Sequence, residues 1–443
     1  MGIKSIIKKF IPEQFISLYH LIFAALAAFY YGWPSKKMIV IGITGTKGKT
    51  SAANFIWSVL TAGGHKTGLI GTANIKISEI EMLNKYHMTM PGRFILQKLL
   101  RQMADAGCEF VIVETTSEGI KQWRHFGIFY DVAIFTNLTP EHLEAHGNSF
   151  EKYKEAKGKM FKIIKNGKRK IINGKEIKKI IIVNYDDPHK EYFLNFPADK
   201  KINFGTKEGA DFQSDKIRNT GEGLEFLVGS TPYQINISGK FNVYNALPAV
   251  AIGSVFGVSS EQIQGGLKSL KNIPGRMEKI DEDQDFTVFV DYAHEKEGMS
   301  AVLETASEMA MQSIGKVIVL LGAEGGGRDK AKRPILGEIA AKNADFIVVS
   351  NVDPYEDDPK EICEDIAVAT EKFGKTRGKN LFIIEDRREG IKKAISLANK
   401  NDVVLITGKG SEQSIVIGGR RFPWDDRTVV REELNKLKLK KLL

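Results

Sequence analysis

Cysteine is scarce in this chain, since only Cys108 and Cys363 occur among 443 residues. Neither has the spacing of a metal site or of a redox motif, which excludes a disulfide-stabilised secreted domain and a zinc ribbon. We therefore interpret both cysteines as buried thiols of a protein in a reducing cytoplasm.

Negative charge is also in deficit, because 64 lysines and arginines outnumber 54 acidic residues and leave a net charge of +10. A basic surface attracts nucleic acid, an anionic membrane or a phosphorylated substrate. The lysines are spread along the chain rather than clustered with aromatic residues, so we expect no nucleic-acid partner. The length allows two or three domains with substantial cores.

Residues 14–34 lack any charged residue, and lysines lie on both sides of this segment. Its length is close to the roughly 20 residues that span a bilayer. Ser17 and His20 interrupt it, and no small-residue cleavage site follows, which disfavours a signal peptide. Three interpretations stay open: an anchor in the membrane interface, a helix buried by docking, or a spanning helix. We expect a cytoplasmic protein, with its association with membranes an open question.

A glycine-rich loop is the strongest positive signal. It lies between a strand-like run at residues 38–41 and a helix-like run at residues 52–57. This order is typical of a phosphate-binding loop, in which backbone amides and a helix N-terminus surround phosphate oxygens. In such a loop Lys49 would reach the outer phosphates and the hydroxyl of Thr50 would ligate Mg²⁺. The alternative interpretation is an ordinary glycine turn before a helix. The candidate nucleotide-binding residues here are Gly45, Thr46, Lys47, Gly48, Lys49, Thr50 and Ser51.

Strand-like and helix-like runs alternate from Met38 onward, which predicts an α/β protein with mostly parallel sheets. Residues 205–238 instead predict a small antiparallel insertion, and Pro274-Gly275-Arg276 predicts a hinge. We expect an apolar helical segment at residues 1–37, a central ATP-binding domain at 38–272 and a Rossmann-like C-terminal domain at 273–443.

Three further positions carry candidate chemistry. Glu114 ends an apolar strand, where a carboxylate can ligate Mg²⁺ or cap a helix. His142 and His146 share one loop, and imidazoles there bind a metal or phosphate, or pair locally. Lys157 lies on a helix-like segment, and its composition alone predicts a solvated face, because a bare ammonium would repel Mg²⁺.

The order and spacing of these motifs resemble the Mur ligase family. Later segments also agree with the family, and the resemblance extends over residues 38–435. Within the family, the chain is most similar to the tripeptide-forming branch. These segments are Asn184-Tyr185-Asp186-Asp187, Gly239–Ala246, Pro274–Glu278, Val290–His294, Gly327-Arg328-Asp329, Lys332-Arg333-Pro334, Gly408-Lys409-Gly410 with Glu412, and Asp425-Asp426-Arg427.

The resemblance implies a reaction in which ATP phosphorylates a carboxylate and an amino acid's amine attacks the acyl phosphate. Lys49 would hold the phosphates, with one Mg²⁺ on Thr50 and Glu114. Lys157 would be carbamylated by CO₂ and ligate a second Mg²⁺ together with His142. The residues that would contact the nucleotide elsewhere are Asn245, Arg276, Asp291, His294 and Arg328.

The chain also departs from the family. The loop begins at residue 42, whereas typical members have a whole domain before it that holds uridine diphosphate. We therefore expect either a UDP-linked acceptor that binds without the usual contacts or a lipid-linked acceptor. Tyr355 replaces an arginine that would pair a carboxylate of diaminopimelate, which leaves the added amino acid open. The candidate substrate residues are Thr89, Asp353, Gly408 and Glu412.

We therefore expect an ATP-dependent ligase that extends a muramyl peptide in cell-wall synthesis. One alternative is a ligase of the same superfamily with another acceptor, either a lipid-linked precursor or a folylpolyglutamate-like substrate. A second alternative is an ATP-binding subunit that does not ligate.

Overall fold

The computed structural model describes residues 12–141, 143–220 and 223–442. They form two compact units. One unit comprises the described residues up to Asn236 together with Asn242–Leu270, and the other comprises Ile237–Phe241 together with the described residues from Lys271 onward.

The first unit is built on an 11-stranded sheet whose central strands are parallel. The predicted insertion forms the antiparallel strands at one edge of this sheet. The strands are β1 (Ile39–Thr44), β2 (Thr67–Ile70), β3 (Asn74–Ile77), β4 (Ile80–Leu83), β5 (Phe110–Glu114), β6 (Val132–Phe135), a small hairpin of β7 (Ile171–Ile172) and β8 (Lys175–Glu176), β9 (Ile180–Asn184), β10 (Lys200–Gly205), β11 (Phe212–Asn219), β12 (Leu224–Val228) and β13 (Thr231–Ile235).

Crossover helices connect the parallel strands, as right-handed βαβ units require. They are preceded by an N-terminal helix, α1 (Glu13–Tyr30). The others are α2 (Lys49–Ala62), α3 (Arg93–Asp105), α4 (Ser117–Lys121), α5 (Phe150–Asn166), α6 (Lys190–Leu194), α7 (Phe241–Val255) and α8 (Ser260–Ser269), with 3₁₀ turns at Pro34–Lys37 and Leu143–His146.

The second unit has a six-stranded sheet, parallel except for its first pair. Its strands are β14 (Glu278–Ile280), β15 (Thr287–Asp291), β16 (Val317–Leu321), β17 (Phe346–Val349), β18 (Leu381–Ile383) and β19 (Val403–Thr407), with a separate hairpin of β20 (Ser414–Ile417) and β21 (Arg420–Pro423). Its helices are α9 (Lys296–Ser313), α10 (Lys332–Asn343), α11 (Pro359–Lys372), α12 (Arg387–Leu397) and α13 (Asp426–Leu442). The predicted α/β architecture is confirmed.

Helix α1 has two different apolar faces. On its inner face Ala24, Ala27 and Ala28 are buried. At Gly127 an added Cβ would lie only 2.5 Å from the Cβ of Ala28, so only a glycine allows this close approach. We define the outer face as the eight large apolar side chains that stay 39–76% exposed, namely Phe15, Leu18, Tyr19, Ile22, Phe23, Leu26, Phe29 and Tyr30. The segment is therefore docked along one side and exposed along the other.

The spanning interpretation of this segment gains no support. Within residues 12–141, 143–220 and 223–442, no helix combines the length and the apolar character needed to cross a bilayer.

A buried ion cluster holds the start of β6 beside β1. Asp131 is fully buried and accepts bonds from Lys170 Nζ at 2.5 Å and Lys179 Nζ at 2.9 Å. The backbone amide of Val40, in β1, also donates to Asp131 at 2.9 Å. Since both ammonium groups are themselves buried, this one carboxylate compensates the desolvation of two positive charges.

We predict that Asp131→Asn lowers the free energy of unfolding by roughly 3–5 kcal/mol, because it leaves two buried ammonium groups without a counter-charge. Urea titration followed by tryptophan fluorescence measures the change, since Trp33, Trp57 and Trp123 all lie in this unit. Asp105→Asn is the control, because its partner Arg101 lies on the surface. Equal midpoints for the two variants would contradict the structural role given to Asp131.

Candidate active site

The glycine-rich loop follows β1 and leads into α2, as predicted. Gly45 has a φ of 150° and Gly48 a φ of 80°, values that L side chains rarely adopt. A Cβ at Gly45 would lie 1.9 Å from Thr136 Oγ1, and one at Gly48 would lie 2.2 Å from Asn245 Oδ1. Glycine is therefore required at both positions by backbone conformation and by space.

The segment after β6 holds this loop from beside it. The Thr46 amide donates to the carbonyl of Asn137 at 2.8 Å, and the Lys47 amide donates to Asn137 Oδ1 at 2.8 Å. Thr136 Oγ1 donates to the Lys47 carbonyl at 2.7 Å. We predicted that these two amides surround phosphate, but here they bind Asn137. Helix geometry leaves the amides at the first turn of α2 without intrahelical acceptors, so these amides are the candidates for binding an anion.

The lysines of the loop have different partners. Lys49 Nζ donates to the carbonyls of Gly45 at 2.9 Å and Thr46 at 2.8 Å, so its ammonium lies folded back over the loop. Lys47 Nζ instead forms an ion pair with Glu141 at 2.8 Å. Lys49 is thus the loop lysine whose ammonium lies over the backbone of the glycine-rich loop.

Glu114, at the end of β5, is a fully buried carboxylate. Thr50 Oγ1 donates to its Oε2 at 3.0 Å, so the two residues predicted to hold one Mg²⁺ lie side by side. Thr72 donates its hydroxyl to Oε2 at 2.9 Å and its backbone amide to Oε1 at 2.8 Å. All three of these donors are neutral, so the charge of a buried carboxylate has no cation on it within these contacts. A divalent cation fits that deficit.

Thr72 was missed by the sequence analysis, although a polar residue just after β2 is a signal for a site at the carboxyl edge of a parallel sheet. Its hydroxyl is 2.9 Å from that of Thr89, one of the predicted substrate residues. The structure thereby connects Thr89 to Glu114 through one intervening side chain.

Lys157 is buried in α5, with 2% of its surface exposed, so the prediction of a solvated helical face was wrong. Its Nζ donates to the Gly45 carbonyl at 2.7 Å and lies 4.4 Å from the ring centroid of Tyr153. Burial lowers the pKa of Lys157 well below its usual value, and the nearby charge of Lys49 lowers it further. A neutral amine is the form that reacts with CO₂.

The histidine loop is only partly visible, because His142 lies outside the described residues. His146 is buried, and its Nε2 lies 3.1 Å from Ser117 Oγ. The contribution of His142 to a metal site therefore stays a prediction.

Two polar residues on other elements support the loop after β6. Asp187 Oδ2 accepts the amide of Leu138 at 2.8 Å, and Asn184 Nδ2 donates to the carbonyl of Thr136 at 2.7 Å. Asn245 lies on α7 beside Gly48, and its Nδ2 donates to Asn242 Oδ1 at 2.9 Å. Asn245 therefore lies at the phosphate loop.

In the second unit, the predicted substrate residues meet at the carboxyl ends of β15, β17 and β19. Lys409, buried completely, donates to Asp353 Oδ2 at 2.7 Å and Glu412 Oε2 at 2.6 Å. Burial alone would lower the pKa of Lys409, but the two carboxylates raise it above its ordinary value. Gly408, with a φ of 107°, donates its amide to the Asp291 carbonyl at 3.1 Å.

Lys409 is therefore the residue that joins Asp353 to Glu412. The sequence analysis quoted it within a motif but gave it no role.

The predicted nucleotide residues of the second unit also lie close together. Arg276 stacks over the ring of Tyr292, 4.4 Å from its centroid. Asp291 accepts the amides of Met277 and Ala293, each at 2.7 Å, which orders the turn after β15.

His294 and Arg328 complete this set. His294 Nδ1 lies 2.7 Å from the Tyr292 carbonyl, to which its N–H donates. Burial alone would lower the pKa of Arg328, but Glu324 and Tyr355 raise it above its ordinary value.

The chain is similar in sequence to known protein families and to named relatives. Residues 43–253 match the Mur ligase middle domain, and residues 275–410 match the Mur ligase, glutamate ligase domain. The UDP-N-acetylmuramoyl-L-alanyl-D-glutamate--2,6-diaminopimelate ligase of Geobacillus kaustophilus is 37% identical over 428 residues, which cover 95% of this chain and 84% of the relative. The UDP-N-acetylmuramyl-tripeptide synthetase of a Roseiflexus species is 36% identical over 422 residues, covering 94% and 82%.

Solved structures agree. A UDP-N-acetylmuramoyl-L-alanyl-D-glutamate--2,6-diaminopimelate ligase superposes with a TM-score of 0.60 at 27% identity, covering 90% of this chain and 79% of that one. The Mycobacterium tuberculosis folylpolyglutamate synthase complexed with ADP and AMPPCP gives a TM-score of 0.69 at 19% identity, covering 94% and 95%, which shows a shared fold.

We predict that Gly48→Ala weakens ATP binding at least tenfold, because the new Cβ both strains the left-handed backbone and displaces Asn245 from the loop. Gly64→Ala is the matched control, since Gly64 has a φ of 86° with nothing within 4 Å of the added Cβ. Both variants should lose about 1 kcal/mol of stability from the backbone strain, but only Gly48→Ala should bind ATP poorly in calorimetric titration. Equal ATP affinities would show that the loop does not hold the nucleotide.

Proposed function

Since this chain belongs to the Mur ligase family, we propose that it uses ATP to join an amino acid to a carboxylate of a muramyl-peptide precursor of the cell wall. Its relatives indicate that the chain is an amide-forming, ATP-dependent ligase. The observation that carries the proposal is the phosphate loop set beside Glu114, a buried carboxylate bonded by neutral donors.

The first unit would bind ATP through the amides at the start of α2 and the ammonium of Lys49. Thr50 and Glu114 would hold Mg²⁺, with His142 and Lys157 as the second set of ligands. Bound Mg²⁺ would neutralise charge on the phosphates and on the substrate carboxylate during phosphoryl transfer. Lys49, whose Nζ is bonded to the loop carbonyls of Gly45 and Thr46, would exchange these contacts for a phosphate oxygen.

Lys157 would act as a carbamylated residue. Burial and the nearby charge of Lys49 lower its pKa well below the ordinary value, which favours the neutral amine, and addition of CO₂ would convert that amine to an anion. The carbonyl of Gly45, its present partner, belongs to the phosphate loop, so an anion at this position would lie next to the bound phosphates and their metal.

The second unit would bind the incoming amino acid. Asp353 and Glu412 share the single ammonium of Lys409, so this cluster has one negative charge in excess. Glu412 keeps 27% of its side chain exposed and would pair the amine of the amino acid. Arg276, Asp291, His294 and Arg328 would contact the nucleotide.

Other acceptors are separate outcomes of the same experiment. A lipid-linked precursor would suit contact between residues 14–34 and a membrane surface, which we include in the proposal because the outer face of α1 is exposed. The folylpolyglutamate-like alternative has the shared fold in its favour.

We expect the purified protein to release ADP from ATP with Mg²⁺ and bicarbonate only when one amino acid and one muramyl-peptide acceptor are both present. A panel of lysine, diaminopimelate and other amino acids, crossed with UDP-linked and lipid-linked acceptors, identifies the pair. If ATP binds but no combination releases ADP, the ligase proposal is wrong and the non-ligating alternative is favoured.

We predict that Lys157→Arg reduces turnover by at least about a hundredfold, a loss of about 2.7 kcal/mol in transition-state stabilisation, since guanidinium cannot be carbamylated. Lys159→Arg, an exposed position on the same helix, is the control. Incubation with ¹³C-bicarbonate should give a carbamate signal in NMR spectra that Lys157→Arg lacks.

The pH dependence follows from the lowered pKa of Lys157. Protonation removes the reactive amine, so turnover at low bicarbonate should fall as the pH drops through that pKa and recover when bicarbonate is raised. A carbamate signal that persists in Lys157→Arg, or turnover unaffected by bicarbonate, would exclude this role.

A further inference from the structure

The outer face of α1 is a continuous apolar surface. Its members recur at intervals of three and four residues from Phe15 to Tyr30, so they form one stripe along the helix. Single exposed leucines are ordinary, but a contiguous apolar face of this size marks an interaction site.

The inner face keeps this stripe directed away from the domain. Trp123 Nε1 donates to Ser17 Oγ at 2.8 Å, and His20 lies against the guanidinium of Arg93. These polar contacts join α1 to α3 and to the segment after α4, on the side where Ala24, Ala27 and Ala28 are buried. The helix is thus fixed along one side, and its opposite side has no contact that would cover it in the described part of the chain.

Lysine dominates the charged residues in the N-terminal part of the sequence that contains α1. Among the first 78 residues, nine lysines accompany a single acidic residue, Glu13. Lys36 and Lys37 follow the helix on exposed positions, and Lys8 and Lys9 precede it in the sequence. A stripe of phenylalanine, tyrosine and leucine between lysines is the composition of helices that lie in the interface of an anionic bilayer.

We propose that the outer face of α1 docks on the surface of an anionic lipid bilayer, with the helix axis in the membrane plane and its inner face holding the ATP-binding unit. A second copy of the chain fits this face poorly. In the sequence, lysines precede and follow the helix, so pairing of two copies in either direction would bring like charges together. This docking rests on the membrane contact that is part of the proposed function. It can be measured without the ligase reaction.

The experiment compares the full-length protein with two triple variants in vesicle co-sedimentation. The outer-face variant is Leu18→Glu/Ile22→Glu/Leu26→Glu. The matched control is Ile80→Glu/Ile171→Glu/Met311→Glu, which adds the same charge at positions that are 65%, 75% and 79% exposed elsewhere. The probes are phosphatidylcholine vesicles with and without phosphatidylglycerol, over a series of salt concentrations.

We expect the wild type and the control to bind the anionic vesicles, with affinity that falls as salt rises. The outer-face variant should bind at least roughly tenfold more weakly, because its apolar contacts are replaced by anions. Equal binding by the two variants would overturn the proposal. Failure of the wild type to bind, with self-association in sedimentation velocity that the outer-face variant loses, would assign the face to a second copy instead.

A measurement of ADP release with a soluble acceptor and its amino acid tests the proposed function separately from vesicle binding. Unchanged turnover in the outer-face variant shows that it is folded, so weakened vesicle binding then reports the face itself. Vesicle binding without any ADP release in the wild type would contradict the ligase proposal while leaving the docking surface supported.

Discussion

The unusual backbone of residues 45–48 is the constraint on which the candidate nucleotide site depends. Gly45 and Gly48 adopt positive φ values, and side chains of Thr136 and Asn245 occupy the space where a Cβ would stand. Asn137 accepts hydrogen bonds from two of the loop amides, so protein contacts hold the loop in this shape. Preorganisation of this kind reduces the ordering cost that phosphate binding would otherwise carry.

Charge is distributed unevenly around this loop. On one side Glu114 is buried among threonine donors, and on the other Lys157 and Lys49 both donate to the carbonyl of Gly45. A site with a buried anion and adjacent ammonium groups is suited to a ligand that carries both phosphates and a divalent metal. Loss of the proton from Lys157 relieves the repulsion between the two ammonium groups, which is one physical reason for its low pKa.

Much of the fold followed from local pattern. The alternation of strand-like and helix-like runs predicted the mostly parallel sheets, and residues 205–238 predicted the antiparallel insertion. The pairing of Thr50 with Glu114 was also predictable, because a strand-end carboxylate and a helix N-terminus meet at the same edge of such a sheet. Lys157 was misjudged from composition, since its neighbours in sequence are charged while its neighbours in space are the loop and Tyr153.

The sequence by itself determined the alternation of strands and helices, the glycine loop and the order of motifs typical of Mur ligases, because these depend on residues close together in the chain. Only the tertiary structure decided which side chains act together: Thr72 with Glu114, Asn137 with the loop amides, and Lys409 between Asp353 and Glu412. It also decided that one side of α1 is docked and the other exposed. The physical reason is that burial and hydrogen bonding depend on neighbours far away in sequence, and strand pairing brings those neighbours together.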